Sequence, residues 1–178
     1  MKVYITSIGE KTTDICVEQF KRYGYEVILL DKKESWIDKY KSFINTAEGD
    51  CLRTDADVIV NQNIKDINFC KDLEYDMVQF IFYDFYKNNL GIGTPMYYSK
   101  KAIDIIKNNL EKLHFTRPET SAWRLPEIVS NTFTSDKIVG MHGFFQDKET
   151  IERAKLNKEH RGQMKQYDFD LVFKLINL

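Results

Sequence analysis

RTDADVIVN, residues 53–61, decides how the rest of the chain is read. Two carboxylates, Asp55 and Asp57, flank one small residue, and a β-branched apolar run follows at once. Acids are costly at the edge of a core unless a charge or a hydrogen-bond donor meets them. Just upstream, DCLRT at residues 50–54 reads as a strand that delivers both acids to its carboxyl end. Ligands of open α/β sheets bind at that end of the strands. Two readings of the pair stay open: ligands for a hard divalent cation, or capping acids at a strand end.

Working outward, Lys2 to Thr6 alternates and is rich in β-formers, so it reads as a first strand. Thr12 or Thr13 caps a helix that carries Ile15, Cys16, Phe20 and Tyr23 on one face, and Gly24 stops it. YEVILLD, residues 25–31, is a second strand ending in Asp31. Strand, helix, strand is the opening of an α/β fold with a parallel sheet. Ser35 caps a second helix with Trp36, Tyr40, Phe43, Ile44 and Ala47 at helical spacing, closed by Gly49. Lys39 and Lys41 on it read as solvated.

Beyond the acids, YDMVQFIFYDFY (75–86) reads as a strand, KNNLGIG (87–93) as a turn region and TPMYYS (94–99) as a short strand or loop. Ser99 caps a helix with Ala102, Ile103, Ile106, Leu110 and Leu113 on one face. TRPETSAWRLPEIVSN (116–131) reads as a loop with a short helix. KIVGMHGFFQ (137–146) reads as a short strand running into a glycine-flanked loop. A charged exposed helix and an amphipathic segment are expected over residues 147–178. The second D-x-D, Asp168-Phe169-Asp170, falls there and reads as a solvated face.

With 178 residues, the chain fits one domain. Its net charge of −1 argues against the broad basic face that nucleic-acid binding needs. Cys16, Cys51 and Cys70 have no C-x-x-C spacing and read as reduced thiols. The N-terminus reads as a strand rather than a signal peptide. No apolar stretch nears the ~20 residues of a membrane helix, so a cytoplasmic protein is expected. GIGTP (91–95) lacks a third glycine and is no dinucleotide fingerprint. Walker A, H-E-x-x-H and G-x-S-x-G patterns are absent.

FINTAEGDCLRTDADVIVN, residues 43–61, resembles the central motif of GT-A-fold glycosyltransferases, of the family-2-like kind. In those enzymes a helix leads through an acidic turn into a strand that ends in D-x-D. The resemblance covers about the first third of the chain well and the remainder loosely. It implies a single GT-A-like, Rossmann-like domain over residues 1–178, with a mostly parallel sheet flanked by helices. Residues 1–60 would bind the donor, residues 75–145 would form the acceptor side, and residues 147–178 would add C-terminal helices.

The same resemblance implies a nucleotide-sugar donor, UDP- or GDP-linked, a divalent Mn²⁺ or Mg²⁺, and an unidentified acceptor. Asp57 would be the main metal ligand, and Asp55 would contact the donor or the metal. Thr6, Ser7 and Ile8 would line the base pocket, with Asp31 near the base or ribose. Arg53 would pair with the diphosphate or with Asp55. His142, late in the chain, would be a third metal ligand, imidazole being common for such metals. An inverting transferase also needs a general base, and Glu119 and Glu127 are the candidates, with Trp123 between them to stack on a sugar. Arg117 and Arg124 are placed to hold a phosphate. Each of these residues also has an ordinary structural reading. Two rival functions stand beside transfer: a sugar-phosphate nucleotidyltransferase, and a nucleotide-sugar-binding protein without turnover.

Overall fold

The computed structural model describes residues 1–31, 35–72, 74–86, 89–115 and 117–143. The expected 147–178 helices, including Asp168 and Asp170, lie outside the described residues. The chain runs β1 (Lys2–Thr6), α1 (Thr13–Arg22), β2 (Glu26–Leu30), α2 (Trp36–Thr46), β3 (Cys51–Asp55) and β4 (Val58–Val60). A 3-10 turn (Gln62–Asn68) and α3 (Phe69–Asp72) follow. Then come β5 (Met77–Asp84), β6 (Asn89–Tyr98), α4 (Lys100–Lys107), a 3-10 turn (Leu110–Lys112), α5 (Pro118–Trp123), α6 (Pro126–Val129) and β7 (Thr132–His142).

The opening is the expected one. Ser35 accepts a hydrogen bond from Asp38 N and caps α2, and Ser99 accepts one from Ala102 N and caps α4. One seven-stranded sheet in the order β2-β1-β3-β6-β5-β7-β4 organises the chain. It is mixed: β1 pairs parallel with β2 and β3, and β5 with β7, while β3–β6, β5–β6 and β4–β7 are antiparallel. Its first half is the parallel sheet the sequence implied. Its second half is antiparallel where β5 turns directly into β6, because a short connection can join only antiparallel neighbours.

Two elements are longer than the sequence suggests. Residues 89–93 and 94–98, read as a turn region and a separate strand or loop, belong to one strand, β6, and β7 begins at Thr132 rather than Lys137. The glycines of β6 are not turn signals. A Cβ at Gly91 would lie 2.7 Å from the Phe82 ring, so that glycine makes room for an aromatic side chain from the paired strand.

Alternate residues on each strand serve opposite faces of the sheet. Val3, Ile5, Leu52, Val78 and Tyr97 pack with Phe20 of α1. Tyr4, Cys51, Met77, Met96 and Tyr98 pack with Tyr40, Phe43 and Ile44 of α2 and with Ile103 of α4. Both faces are covered, which is why the strands read as nearly unbroken apolar runs. Arg53 and Asp55 share the second face with Cys51, and there the apolar packing gives way to charge at the carboxyl end of β3.

Candidate functional site

Parallel pairing of β1 with β3 sets Thr6 beside Asp55. Arg53, 2% exposed, donates from Nη2 to Asp55 Oδ1 at 2.7 Å and to Thr6 Oγ1 at 3.0 Å. Its Nη1 reaches Glu119 Oε1, on α5, at 2.8 Å. Trp36, at the start of α2, donates from Nε1 to Glu119 Oε2 at 3.1 Å, and its ring lies 5.2 Å from the Arg53 guanidinium carbon. Burial pulls the Arg53 pKa down, but Asp55 and Glu119 outweigh it, so the guanidinium stays charged. Glu119 is held above the usual carboxylate range by burial, against the pull of Arg53.

Lys39 is a correction to the sequence reading. It is 5% exposed, with Nζ 5.3 Å from the Trp36 ring centroid, and burial lowers its pKa. A lysine stem packs along apolar surface readily, and here the aromatic ring receives the head as well.

Two residues along the chain, Asp57 meets a second group of partners. β4 pairs with β7 so that Val58 faces His142, and β5 pairs with β7 so that Asp84 faces His142. This double register brings His142 Nε2 to 3.4 Å from Asp57 Oδ2 and Nδ1 to 3.7 Å from Asp84 Oδ1. Tyr86 donates its hydroxyl to Asp57 Oδ2 at 3.1 Å. The close approach of β4 to β7 depends on Gly140, where a Cβ would stand 2.1 Å from the Ile59 carbonyl oxygen. Burial raises the Asp57 pKa. Burial also pulls His142 down, but Asp57 and Asp84 more than reverse it, leaving the imidazole above its usual value.

Asp55, Asp57 and His142 each offer a ligand atom, all within 4.8 Å of one another. Two carboxylate oxygens and an imidazole nitrogen are a donor set suited to Mg²⁺ or Mn²⁺. Asp57 is 7% exposed, and a buried carboxylate is ordinarily paired or ligates a metal.

Asp55 and His142 open onto a cleft of about 560 Å³, whose walls include Phe82, Ile92, Glu119 and Trp123. The other sequence candidates scatter. Ser7 is buried, and its Oγ bonds to Glu10 Oε2 at 2.7 Å. Ile8 is exposed in the same loop, and Asp31 is exposed just past β2. Glu127 is exposed in the first turn of α6 and does not line the cleft. Sequence reasoning missed Asp84, Tyr86 and the partnership of Trp36 with Glu119. The acid inside FIFYDFY was the available signal for the first.

The chain matches no family model and no curated protein sequence. Solved structures do match. A197 from STIV superposes with a TM-score of 0.63 at 12% identity, over 83% of this chain and 87% of that one. A glycosyltransferase involved in glycosylation of the major capsid of PBCV-1 gives 0.55 at 15% identity, over 88% of this chain and all of that one. The 4-diphosphocytidyl-2C-methyl-D-erythritol synthase from Anaerococcus prevotii gives 0.53 at 11%, over 89% of this chain and 95% of that one. The chain therefore has the α/β fold shared by GT-A-type glycosyltransferases and nucleotidyltransferases. Among the described residues no helix is long and apolar enough to cross a membrane.

Proposed function

We propose that the protein is a metal-dependent glycosyltransferase that moves a sugar from a nucleotide-sugar donor, UDP- or GDP-linked, to an acceptor held in the cleft. The observation that carries this reading is the Asp55–Asp57–His142 cluster, of which Asp55 and His142 line that cleft. A divalent cation held there would neutralise the leaving diphosphate.

The chain's own residues would divide the remaining work. Arg53 fixes the Asp55 carboxylate through its 2.7 Å bond and links it to Glu119. Asp84 lies 3.7 Å from the second nitrogen of His142 and, on closing to hydrogen-bond distance, would orient the ring as outer carboxylates do for metal-ligating histidines. Glu119, inside the cleft and with its pKa raised by burial, is the base candidate that could take a proton from an acceptor hydroxyl. Glu127 stands outside the cleft and would need the acceptor to extend to α6.

The nucleotidyltransferase reading shares the fold but fits the loop after β1 less well. A loop that cradles a triphosphate offers free amides and cations. Here the Glu10 carboxylate accepts from Ile8 N at 2.8 Å and from Ser7 Oγ, so an acid already occupies those donors. The test is to incubate the protein and Mn²⁺ with a panel of nucleotide sugars and, separately, with nucleoside triphosphates plus sugar 1-phosphates. Release of a nucleoside diphosphate from one nucleotide sugar supports transfer. Release of pyrophosphate from the second mixture would overturn it in favour of nucleotidyl transfer.

A further inference from the structure

Helix α5 separates two recesses. One side of it sends Glu119 and Trp123 into the cleft described above. A second recess, about 550 Å³, is lined by His114, Arg117, Thr120, Ser121 and Arg124. Thr120 and Arg124 line both, so the two spaces adjoin across the helix.

Their chemistry differs. The cleft sets Asp55, Asp84 and Glu119 among Arg53, Arg124 and His142. The second recess has no acidic lining residue and has two arginines, Arg117 and Arg124, at the two ends of α5. Both arginines are exposed, and neither has a carboxylate partner among the described residues. Elsewhere the chain does pair its central arginine, since Arg53 holds two carboxylates. Ser121 spends its hydroxyl on the backbone carbonyl of Pro118 at 2.9 Å and accepts from His114 N, which folds the floor of the recess without consuming either guanidinium. Phe115, 69% exposed, stacks on His114 with ring centroids 5.0 Å apart and gives this corner an aromatic edge.

We infer that this recess binds a phosphate monoester carried by the acceptor, so that the protein glycosylates a phosphorylated small molecule or glycan. The inference rests on the glycosyltransferase reading. Guanidinium groups recognise phosphate oxygens through paired, charge-assisted hydrogen bonds. An anion seated there places the remainder of its molecule against Thr120 and Arg124, the residues shared with the cleft that holds Glu119. The cleft mixes acids with its cations whereas the second recess has no acid in its lining, so an acceptor phosphate is drawn to the far side of α5 from the donor diphosphate. A nucleic-acid acceptor fits less well, because two arginines and a histidine form a local spot rather than the basic stripe a polyanion requires.

Arginine side-chain NMR of the intact protein, titrated with phenyl phosphate and in parallel with benzoate, tests this. The expected result is saturable movement of the Arg117 and Arg124 Nε–H signals with phenyl phosphate, weaker movement with benzoate, and about 100-fold weaker phosphate binding in the R117Q/R124Q double variant. Mn²⁺-dependent nucleotide binding should be unchanged in R117Q, because Arg117 lines only the second recess. Absence of saturable movement overturns the proposal, and so does displacement of phenyl phosphate by UDP, which would assign the recess to the donor. Phenyl phosphate should also bind Asp57→Ala as it binds wild type. A chain that binds it normally but binds no nucleotide with Mn²⁺ would retain the anion site and lose the glycosyltransferase reading, so the two failures are separable.

Discussion

Arg53 and Asp57 stand four residues apart, and each sits at the centre of a buried polar cluster, but the clusters are built differently. Around Arg53 a fixed cation ties two carboxylates together: the guanidinium meets Asp55 and Glu119, Thr6 and Trp36 supply further hydrogen bonds, and Trp36 flanks the cation. Around Asp57 there is no fixed cation: its carboxylate meets the His142 imidazole and the Tyr86 hydroxyl, with Asp84 on the other side of that imidazole. The first arrangement is a brace that stabilises the folded chain. The second brings together carboxylate and imidazole atoms that, with Asp55, could hold a divalent cation. The sequence RTDAD therefore carries a structural half and a functional half, joined by Asp55.

The largest effect should come from breaking the brace. Arg53→Met leaves Asp55 and Glu119 without their cation, and loss of one partner from a buried ion pair costs about 3–5 kcal/mol. Chemical denaturation should show a loss of that order with no metal present. Equal stability of variant and wild type would mean that Arg53 serves only a ligand.

The opposite sign is expected for Asp57→Asn. Burial and the nearby carboxylates of Asp55 and Glu10 disfavour the Asp57 charge, so replacing it with a neutral amide should not lower the midpoint of thermal unfolding of the metal-free protein. Mn²⁺ affinity should fall about 100-fold or more, since a ligand is lost. A variant that binds Mn²⁺ like wild type would remove Asp57 from the site.

Asp84→Asn sharpens the same half. It leaves all three candidate ligands but weakens the group facing His142 Nδ1, and outer partners of this kind are worth about 10–100-fold in metal affinity. Electron paramagnetic resonance of free Mn²⁺ gives the constant directly. A smaller effect should follow pH. Burial raises Asp57, and Asp57 with Asp84 raises His142. Both groups must be deprotonated to ligate. Their raised values shift proton competition toward neutral pH, so Mn²⁺ affinity should climb as pH rises and fall in acid. An affinity flat across that range would argue against His142 as a ligand.

How much of this was legible in the sequence follows from how local each feature is. The β1–α1–β2 opening, both serine caps and the delivery of Asp55 and Asp57 to a strand end rest on neighbours within a few positions, and periodicity and capping rules reach that far. His142 was legible only as a histidine beside a strand near a glycine. Its meeting with Asp57 depends on the β4–β7 register and on Gly140, which joins residues far apart in the chain. Asp84 was hidden because an acid in an aromatic run looks like the solvent side of a strand. Its role appears only when β5 and β7 pair with Asp84 opposite His142. Trp36 was read as one helix-face residue among several, although its indole N–H reaches Glu119 on a different helix. The length of β6 was missed because glycine usually signals a turn, whereas Gly91 yields space to Phe82.

The central claim is that the Asp57 half of RTDAD holds a metal and, through it, a nucleotide. Calorimetric binding of UDP, GDP, CDP and dTDP, with and without Mn²⁺, on wild type and on Asp57→Ala tests it most directly. The account expects one of these nucleotides to bind only with Mn²⁺, and that binding to vanish in the variant. Binding of none of them, or binding untouched by the substitution, would contradict the account and return Asp55 and Asp57 to the role of acids that end a strand.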